Sequence, residues 1–339
     1  MAETQTVQYT AKDFKSDQEV KWCPGCGDHG ILSSIQRAMA DMNIPKENYV
    51  FVSGIGCSSR LPYYMNTYGF HGIHGRAAAI ATGVKIANPD LMVWEMTGDG
   101  DALAIGGNHF IHAVRRNIDI NLILFNNEIY GLTKGQYSPT SRKGLITKTS
   151  PYGTIEEPFK IGELVLGANG RFFARTVDYN VQISTEVYKE AAMFHGTSVV
   201  EVLQNCVIFN DGVHDEITNK EFRDDRTIYL HHGMPMIFGK ERDKGIMLNG
   251  LKLRVVKLGE QGITEKDLLV HDAHEPSPGI HYMLAGMKYP EYPVALGIIR
   301  AVDTQTYDAA MIEQHVLVNE KSKITCVDDL LHDGSTWEV

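Results

Sequence analysis

Between residues 28 and 203, short apolar runs alternate with stretches whose apolar residues recur at helical spacing. The runs predict strands over residues 49–52, 91–96, 121–125, 172–177 and 198–203. The helical spacing predicts helices over residues 28–41, 76–88, 103–116, 161–170 and 183–194. Strands and helices that alternate across short connections are typical of an α/β fold, a parallel sheet covered by helices on both faces.

The pattern weakens at both ends of the chain. Residues 1–21 are polar and unpatterned, so we interpret residues 1–47 as an N-terminal arm followed by the first helix. Residues 48–215 form the predicted main domain, with a loop-like stretch over residues 136–160. Residues 216–339 are predicted to be a C-terminal extension that packs on the main domain or on a partner.

Composition narrows the functional classes. The formal net charge of -10 argues against a nucleic-acid partner, because phosphate backbones favour clustered Lys and Arg. No apolar run reaches the roughly 18–20 residues that a membrane helix needs, and residues 1–6 do not resemble a signal peptide. Five cysteines are an odd number for a disulfide framework. We therefore expect a cytoplasmic protein whose cysteines are ligands, catalytic groups or core residues.

Polar side chains follow two neighbouring strands of the predicted sheet. Gly98-Asp99-Gly100 follows one strand and Asn126-Asn127 follows the next. Binding sites in such sheets form at the carboxyl ends of the strands. A carboxylate and an amide oxygen are ligands that Mg²⁺ accepts beside a phosphate, and glycines let the backbone approach the anion. This spacing and context predict a site for thiamine diphosphate and Mg²⁺, with the carbonyl of Ile129 as a further metal ligand.

Four of the cysteines lie at places that the fold brings toward the same edge. Cys23 and Cys26 form a C-x-x-C loop, Cys57 lies in a glycine-rich turn, and Cys206 follows a predicted strand. The C-x-x-C loop alone is compatible with a redox dithiol, a zinc site or an iron–sulfur site. Four thiolates hold either one Zn²⁺ or one [4Fe–4S] cluster. A thiamine enzyme that oxidises a 2-oxo acid needs an electron acceptor, which favours the cluster.

The quoted motifs resemble the beta subunit of 2-oxoacid:ferredoxin oxidoreductases over about residues 20 to 215. The matching segments are 22–28, 54–60, 74–76, 98–101 and 126–136, and residues 132–141 are more similar to the 2-oxoglutarate branch than to the pyruvate branch. The resemblance implies a role for each matching residue. The cluster ligands would be Cys23, Cys26, Cys57 and Cys206, and the Mg²⁺ ligands Asp99, Asn127 and Ile129. The thiamine contacts would be Ile55, Gly56, Cys57, Ser58, His74, Gly100, Asp101, Gly131 and Leu132.

Arg60 and Leu132 are expected at the substrate end. An arginine suits a second substrate carboxylate through a bidentate pair, although a surface charge or a coenzyme A contact would also account for Arg60. His74 could orient a phosphate or the substrate, or be structural. We interpret Cys326 as a free thiol. His271, Asp272, His274 and Glu275 resemble metal ligands in spacing, but we expect them in an exposed loop.

Thiamine is activated by a carboxylate that hydrogen-bonds its aminopyrimidine ring, and only one α/β domain is predicted here. The activating glutamate is therefore expected on an obligate alpha subunit, in a heterodimer or a dimer of heterodimers. The predicted reaction is oxidative decarboxylation of 2-oxoglutarate with coenzyme A to succinyl-CoA and CO₂, with electrons passed to ferredoxin. The alternatives are the same class acting on pyruvate or another 2-oxo acid, and a non-redox thiamine carboligase subunit with a structural zinc.

Overall fold

An eight-stranded sheet lies at the centre of the structure, a computed structural model that describes residues 8–335 and 337. Its strands are β1 (Tyr49–Ser53), β2 (Tyr68–His71), β3 (Met92–Gly98), β4 (Asn121–Asn126), β5 (Phe172–Val177), β6 (Ser198–Leu203), β7 (Thr227–Leu230) and β11 (Val294–Ala301). In space they follow the order β2-β1-β3-β4-β6-β5-β11-β7. A separate antiparallel sheet contains β8 (Ile237–Phe238), β9 (Lys244–Asn249) and β10 (Lys252–Lys257).

Helices cover both faces of the large sheet, as predicted. The α-helices of the described residues are α1 (Asp28–Met42), α2 (Ala77–Ala87), α3 (Asp99–Leu103), α4 (Gly107–Arg116), α5 (Ile161–Gly167), α6 (Val181–Met193), α7 (Asp215–Thr218), α8 (Arg223–Arg226), α9 (Gly279–Ala285), α10 (Tyr307–Lys321) and α11 (Val327–Leu331). Side chains alternate between faces along a strand. In β3, Trp94 packs in the core beneath α1 and α6, whereas Val93 packs in the core beneath α2.

The direction of the strands determines which edge of the sheet carries the site. The strands from β2 to β5 in spatial order are mutually parallel, so their carboxyl ends meet at one edge of the sheet. β11 departs from the predicted parallel sheet because it pairs antiparallel with β5. An antiparallel neighbour does not require a crossover helix, so a strand from a distant segment can be added at this side.

The predicted helix over residues 103–116 is wrong at its start, because α3 ends at Leu103 and α4 begins at Gly107. The break is a tertiary effect. The amide of Gly106 donates to the carbonyl of Asp101 at 3.2 Å, and a Cβ on Gly106 would lie only 2.4 Å from that oxygen. Gly75 packs against the same turn, where its own Cβ would lie 2.4 Å from the Gly106 nitrogen.

The segment after residue 215 is more than an extension. β7 and β11 belong to the large sheet, so the predicted boundary at residue 215 does not separate two folding units. Both strands lie at one side of the sheet, and β11 carries buried apolar residues such as Leu296 and Ile299. Among the described residues, no helix is long and apolar enough to cross a membrane.

The described part of the N-terminal arm is docked on the domain. Phe14 ends a short 3₁₀ helix and is fully buried, with its ring edge-on to Tyr49 at 5.7 Å. The arm therefore contributes to the core beneath α1, although its sequence gives no periodic signal. Residues 1–7 of the predicted arm lie outside the described residues.

Candidate cofactor site

A cavity of about 100 Å³ lies at the carboxyl ends of β1, β3 and β4. Every residue predicted to contact thiamine lines it: Ile55, Gly56, Cys57, Ser58, His74, Gly100, Asp101, Gly131 and Leu132. Asp99, Asn127 and Ile129, the predicted metal ligands, line it as well. The sheet thus brings four separated segments to one cavity, because each follows one of the parallel strands β1, β2, β3 and β4.

Asp99 is one of three acidic residues that line the cavity. Its side chain is 2% exposed, and its Oδ2 accepts hydrogen bonds from Ser138 Oγ at 2.6 Å and from Thr140 Oγ1 at 2.5 Å. Burial raises the pKa of Asp99 to about 6, although the two hydroxyls oppose the shift. A cation beside a buried carboxyl stabilises its charged form, which burial alone disfavours. The donor set therefore fits a hard divalent metal.

The two asparagines at the end of β4 have different surroundings: Asn126 supports the fold, and Asn127 faces the cavity. Asn127 lines the cavity, and its Oδ1 accepts from the amide of Ile129 at 3.2 Å. Asn126 instead points away, donating through Nδ2 to Glu201 at 2.8 Å. Glu201 forms a buried ion pair with Arg175 at 2.8 Å. The first asparagine thus anchors the strand end, and the second is available to a ligand.

Asp101 connects the loops around the cavity. Its Oδ1 accepts from the amides of Ile55 at 3.1 Å and Gly75 at 2.8 Å, and its Oδ2 accepts from Thr97 Oγ1 at 3.1 Å. A Cβ on Gly54 would lie 1.9 Å from Oδ2, which requires glycine there. Asp101 lines the cavity as predicted, but these donors engage its carboxylate in holding the β1 and β3 loops together.

The cysteine-bearing loops converge beside Gly131. Cys206 Sγ and Cys57 Sγ lie 3.4 and 3.7 Å from the position of a Cβ on Gly131. Burial raises the pKa of Cys57 to about 12 and also raises that of Cys26, and the proximity of Cys206 adds to both shifts. Cys23 also contributes to the shift of Cys57. Cys57 and Cys206 therefore lie beside the same residue, and Cys23 and Cys26 are on a loop close enough to affect or share these shifts.

Backbone contacts join the C-x-x-C loop to the loop after β6. The amide of Gly27 donates to the carbonyl of Asn205 at 3.2 Å, and the amide of Asn205 donates to Asp178 Oδ2 at 2.7 Å. Gly25 has a φ of +82°, which glycine adopts without strain. These contacts place Cys26 and Cys206 on adjoining turns.

The thiols of Cys57 and Cys206 lie on either side of a residue that has no side chain, Gly131. Within residues 8–335 and 337, no three His, Cys, Asp or Glu side chains are placed as the ligands of a single metal ion.

Asp28 is a residue of this region that the sequence reasoning did not assign. It is the first residue of α1, is 1% exposed and lines the cavity, and its Oδ2 has no hydrogen-bond partner. Burial raises the pKa of Asp28 to about 7. Tyr130 and Ile105 also line the cavity without having been predicted. The position of Asp28 directly after the C-x-x-C motif was the available signal.

Arg60 lies in a second, more open cavity of about 570 Å³. Gly56 and Leu132 line both cavities, so the two adjoin. The structure therefore brings the predicted substrate residues, Arg60 and Leu132, to one place next to the cofactor cavity. Lys21 lines the same space, where it is ion-paired with Glu19, another lining residue.

The smaller cavity can enclose only part of a cofactor. Small-molecule pockets usually measure about 300–1,000 Å³, compared with about 100 Å³ here. Leu132 and Ile105 at its margin are 48% and 59% exposed. The site is consistent with one half of a cofactor pocket.

The remaining candidate residues do not form a metal site. His271 is 1% exposed and its Nε2 bonds to the Ile298 carbonyl at 2.8 Å, so the prediction of an exposed loop is wrong for it. Asp272, His274 and Glu275 are exposed, as expected. His271 is buried because its loop runs along β11. Cys326 is an exposed free thiol.

Comparisons with known proteins agree with this site. A family model described as the thiamine pyrophosphate enzyme, C-terminal TPP binding domain, matches residues 54–202. The chain is 48% identical over 331 residues to the 2-oxoglutarate oxidoreductase subunit KorB of Mycobacterium tuberculosis, covering 97% of this chain and 88% of that protein. It is 48% identical over 185 residues to the 2-oxoglutarate synthase subunit KorB of Archaeoglobus fulgidus, covering 55% of this chain and 69% of that one.

A solved structure is similar over nearly the whole chain. It is the 2-oxoglutarate:ferredoxin oxidoreductase from Magnetococcus marinus with 2-oxoglutarate, coenzyme A and succinyl-CoA bound. The TM-score is 0.78 at 30% identity, and the match covers 98% of each chain. The similarity therefore includes β7, β11 and the segment after residue 215 as well as the cofactor domain.

Proposed function

The chain belongs to the family of 2-oxoglutarate:ferredoxin oxidoreductase beta subunits, and from that premise we propose which of its residues serve the reaction. The enzyme oxidatively decarboxylates 2-oxoglutarate with coenzyme A, yielding succinyl-CoA and CO₂, and passes electrons to ferredoxin. Thiamine diphosphate is the cofactor of this family's binding domain. Family membership does not support the alternative of a non-redox carboligase.

We propose that Asp99, Asn127 and the carbonyl of Ile129 hold Mg²⁺ and thereby the diphosphate. The support is that all three line one cavity and that Asp99 is buried in it. Mg²⁺ takes oxygen ligands and shares them with phosphates. Bound there, thiamine diphosphate would supply the carbanion chemistry that decarboxylation needs. The protein's part is to fix the metal ligands and to present Ile55–Ser58 and Gly131 along the cavity.

We propose that Cys23, Cys26, Cys57 and Cys206 hold a [4Fe–4S] cluster. The observation that supports this assignment is that the thiols adjoin the thiamine cavity. Cys57 and Gly131 line that cavity, and the Sγ atoms of Cys57 and Cys206 both lie beside Gly131. A one-electron acceptor adjacent to the cofactor is what oxidation of a 2-oxo acid requires. Iron and sulfide analysis of the purified complex distinguishes it from zinc.

Arg60 is proposed to pair with the distal carboxylate of 2-oxoglutarate. Its cavity adjoins the cofactor cavity through Gly56 and Leu132, which supports a substrate contact over an unrelated surface charge. We expect Arg60→Lys to lower kcat/KM for 2-oxoglutarate and to leave that for pyruvate nearly unchanged, since pyruvate has no second carboxylate. An increase in the KM for coenzyme A instead would assign Arg60 to that substrate.

An alpha subunit is proposed to complete the site and to supply the activating glutamate. The small volume of the cavity and the exposed apolar residues at its margin support a second protein surface. Exposed apolar side chains on α10 and α11 support a further contact between residues 307–331 and a partner.

The test is activity of the complex purified without oxygen, assayed with a panel of 2-oxo acids, coenzyme A and viologen. We expect viologen reduction that depends on 2-oxoglutarate and on coenzyme A, and brown protein that contains iron and sulfide. Faster reduction with pyruvate would move the substrate to the other branch of the family. Colourless protein with one zinc per chain would contradict the cluster.

A further inference from the structure

The loop between β4 and α5 bends back onto the proposed metal ligand. Ser138 and Thr140 are 3% and 5% exposed, and both hydroxyls donate to the same oxygen of Asp99, at 2.6 and 2.5 Å. Two hydrogen bonds to one carboxylate oxygen fix the rotation of the side chain. They also favour its charged form, opposing the effect of burial on the pKa of Asp99.

The same loop also contacts the turn at residues 126–129, which carries the other two proposed metal ligands. Ser141 Oγ donates to the carbonyl of Glu128, whereas Thr140 Oγ1 lies 2.9 Å from Asn126 Oδ1 but has only one proton, which it donates to Asp99. Ser141 Oγ in turn accepts from the amide of Ser138 at 2.7 Å. Glu128 has a φ of +55°, a backbone conformation that is uncommon for a residue other than glycine. The loop therefore fastens the turn that carries Asn127 and Ile129.

We propose that Ser138, Thr140 and Ser141, here called the hydroxyl bracket, are positioning residues that set the affinity of the site for its divalent metal. The proposal rests on the proposed function, because it assumes that Asp99, Asn127 and Ile129 bind the metal. None of the three bracket residues lines the cofactor cavity. Their effect is transmitted through the orientation of Asp99 and of the turn at residues 126–129.

The size of the effect follows from the role of such supporting contacts. Removing a partner that orients a metal ligand usually lowers metal affinity by about 10- to 100-fold. Thr140→Val keeps the shape of the side chain and removes only the hydroxyl, so we expect a loss of that order. Thr140→Ser restores the hydroxyl and should recover most of the affinity. Ser138→Ala should act in the same direction as Thr140→Val.

The loop offers a matched control. Thr154 is 7% exposed, and its hydroxyl donates to the carbonyl of Arg142 at 3.1 Å, within the same loop and without contact to Asp99. Thr154→Val therefore removes a buried hydroxyl that supports the loop alone. It should leave metal affinity within about twofold of wild type, the spread expected for a change of at most about 0.4 kcal/mol.

The experiment measures Mn²⁺ binding to the assembled, chelator-stripped enzyme by electron paramagnetic resonance, with thiamine diphosphate present. We expect Thr140→Val and Ser138→Ala to bind Mn²⁺ about 10- to 100-fold more weakly, with Thr140→Ser and Thr154→Val close to wild type. At saturating metal, the KM for 2-oxoglutarate should not change, because none of the bracket residues lines the cavity that contains Arg60.

Three outcomes decide against the inference. Wild-type Mn²⁺ affinity in both Thr140→Val and Ser138→Ala would show that the hydroxyls do not position Asp99. An equal loss in Thr154→Val would show that the loop acts only through its folding. Mn²⁺ binding that is unaffected by Asp99→Asn would instead contradict the proposed metal site itself, which distinguishes that failure from the first two. Two bracket positions are tested so that poor assembly of one variant leaves the other.

Discussion

At the scale of single residues, Gly100 shows how closely the cofactor cavity is packed. Tyr130 donates its hydroxyl to the Gly100 carbonyl at 3.1 Å, and a Cβ on Gly100 would lie 2.1 Å from Tyr130 Cε1. Gly100→Ala must therefore displace a ring that lines the cavity. Overpacking costs about 1–3 kcal/mol, and about 1.4 kcal/mol is tenfold in affinity. We expect thiamine diphosphate to bind about tenfold or more weakly, measured by fluorescence titration.

Gly107→Ala is the matched control for this substitution. Gly107 begins α4, and a Cβ there would meet nothing within 4 Å. Its affinity for thiamine diphosphate should equal that of wild type. If Gly100→Ala also bound the cofactor normally, Tyr130 would have to move without consequence, and its proposed place beside the cofactor would be wrong.

The cysteines give a second residue-scale prediction. Cys206→Ser should remove iron, sulfide and the visible absorbance of the complex, because serine is a poor ligand for a cluster built on thiolates. Cys326→Ser should retain all three, since Cys326 is exposed and distant in sequence from the other thiols. Elemental analysis and visible absorbance of the anaerobic proteins provide the measurement. Equal iron content in the two variants would remove Cys206 from the ligand set.

Sequence alone could locate these residues but not their supports. Asp99, Asn127, Cys57 and Cys206 follow predicted strands, so their common edge can be inferred from the order of strands and helices. Ser138 and Thr140 reach Asp99 across 39 and 41 residues of chain. That contact depends on the path of a long loop. Neither hydrophobic periodicity nor the spacing of motifs in the sequence predicts that path.

At the scale of elements, the contact between the start of α1 and the end of β5 holds the cysteine loops together. A Cβ on Gly27 would lie 1.8 Å from Asp178 Oδ2, the atom that accepts from the Asn205 amide. Gly27→Ala should therefore separate the C-x-x-C loop from the Cys206 loop. We expect a loss of iron content of at least about half, with the helical circular dichroism signal retained.

Gly83→Ala provides the comparison for that experiment. Gly83 lies inside α2, and a Cβ there would meet nothing within 4 Å. Alanine in a helix interior is favoured over glycine by roughly 0.5–1 kcal/mol. This variant should keep its iron and be slightly more stable. Iron loss in Gly83→Ala as well would mean that assembly of the complex, rather than the cysteine loops, is sensitive to substitution.

The loop along β11 contains a buried histidine whose contribution to stability we expect to depend on pH. His271 Nε2 bonds to the Ile298 carbonyl, and burial lowers the pKa of His271 to about 4. An unfolded histidine has a pKa of about 6.5. The neutral ring therefore stabilises the fold fully above about pH 6.5, and this contribution is lost as the pH falls toward 4. The shift corresponds to about 3 kcal/mol.

His271→Gln removes the titration and keeps a side-chain donor for the Ile298 carbonyl. The free energy of unfolding in urea, measured across this pH range, should fall less steeply for the variant than for wild type. Parallel curves would contradict the prediction, because other titrating groups are common to both proteins. The comparison isolates His271 from the buried carboxyls, whose raised pKa values have the opposite effect.

Element boundaries were predictable where packing and local pattern agree. The strands β5 and β6 match their predicted ranges, since each is mostly apolar and buried along its whole length, and their charged residues, Arg175 and Glu201, pair with each other. The predicted helix over residues 103–116 is interrupted because Gly75 and Gly106 pack together and Asp101 accepts at that turn. Such a contact between distant glycines leaves no mark on hydrophobic periodicity.

At the scale of the whole molecule, the sheet extends further than the sequence indicated. β7 and β11 follow a long segment without alternation and join the sheet beside β5. A strand with one neighbour, such as β7, need not carry a strong apolar pattern, and the pattern therefore placed the boundary too early. The need for a partner subunit, in contrast, could be inferred from the sequence, because only one α/β domain is predicted there, and the relatives are named as single subunits of a larger enzyme.

The C-terminal helices provide the last prediction. Only Asp308 is buried on α10, whereas Val316 and Leu317 are both 53% exposed, and Leu330 on α11 is 59% exposed. A row of exposed apolar side chains is typical of a protein interface. We expect Leu317→Glu to weaken assembly with the alpha subunit, because a charge would be buried without a partner. Native mass spectrometry of the co-produced subunits measures the assembled fraction.

Leu251→Glu is the control, since Leu251 is 92% exposed in the turn between β9 and β10. Both substitutions replace an exposed leucine, and surface changes alone usually alter stability by less than about 0.5 kcal/mol. Each variant subunit should therefore retain its circular dichroism spectrum, and only Leu317→Glu should lose assembled complex. If both assembled like wild type, the exposed apolar residues of α10 would face solvent in the enzyme, and the partner would contact only the side of the molecule that carries the cofactor cavity.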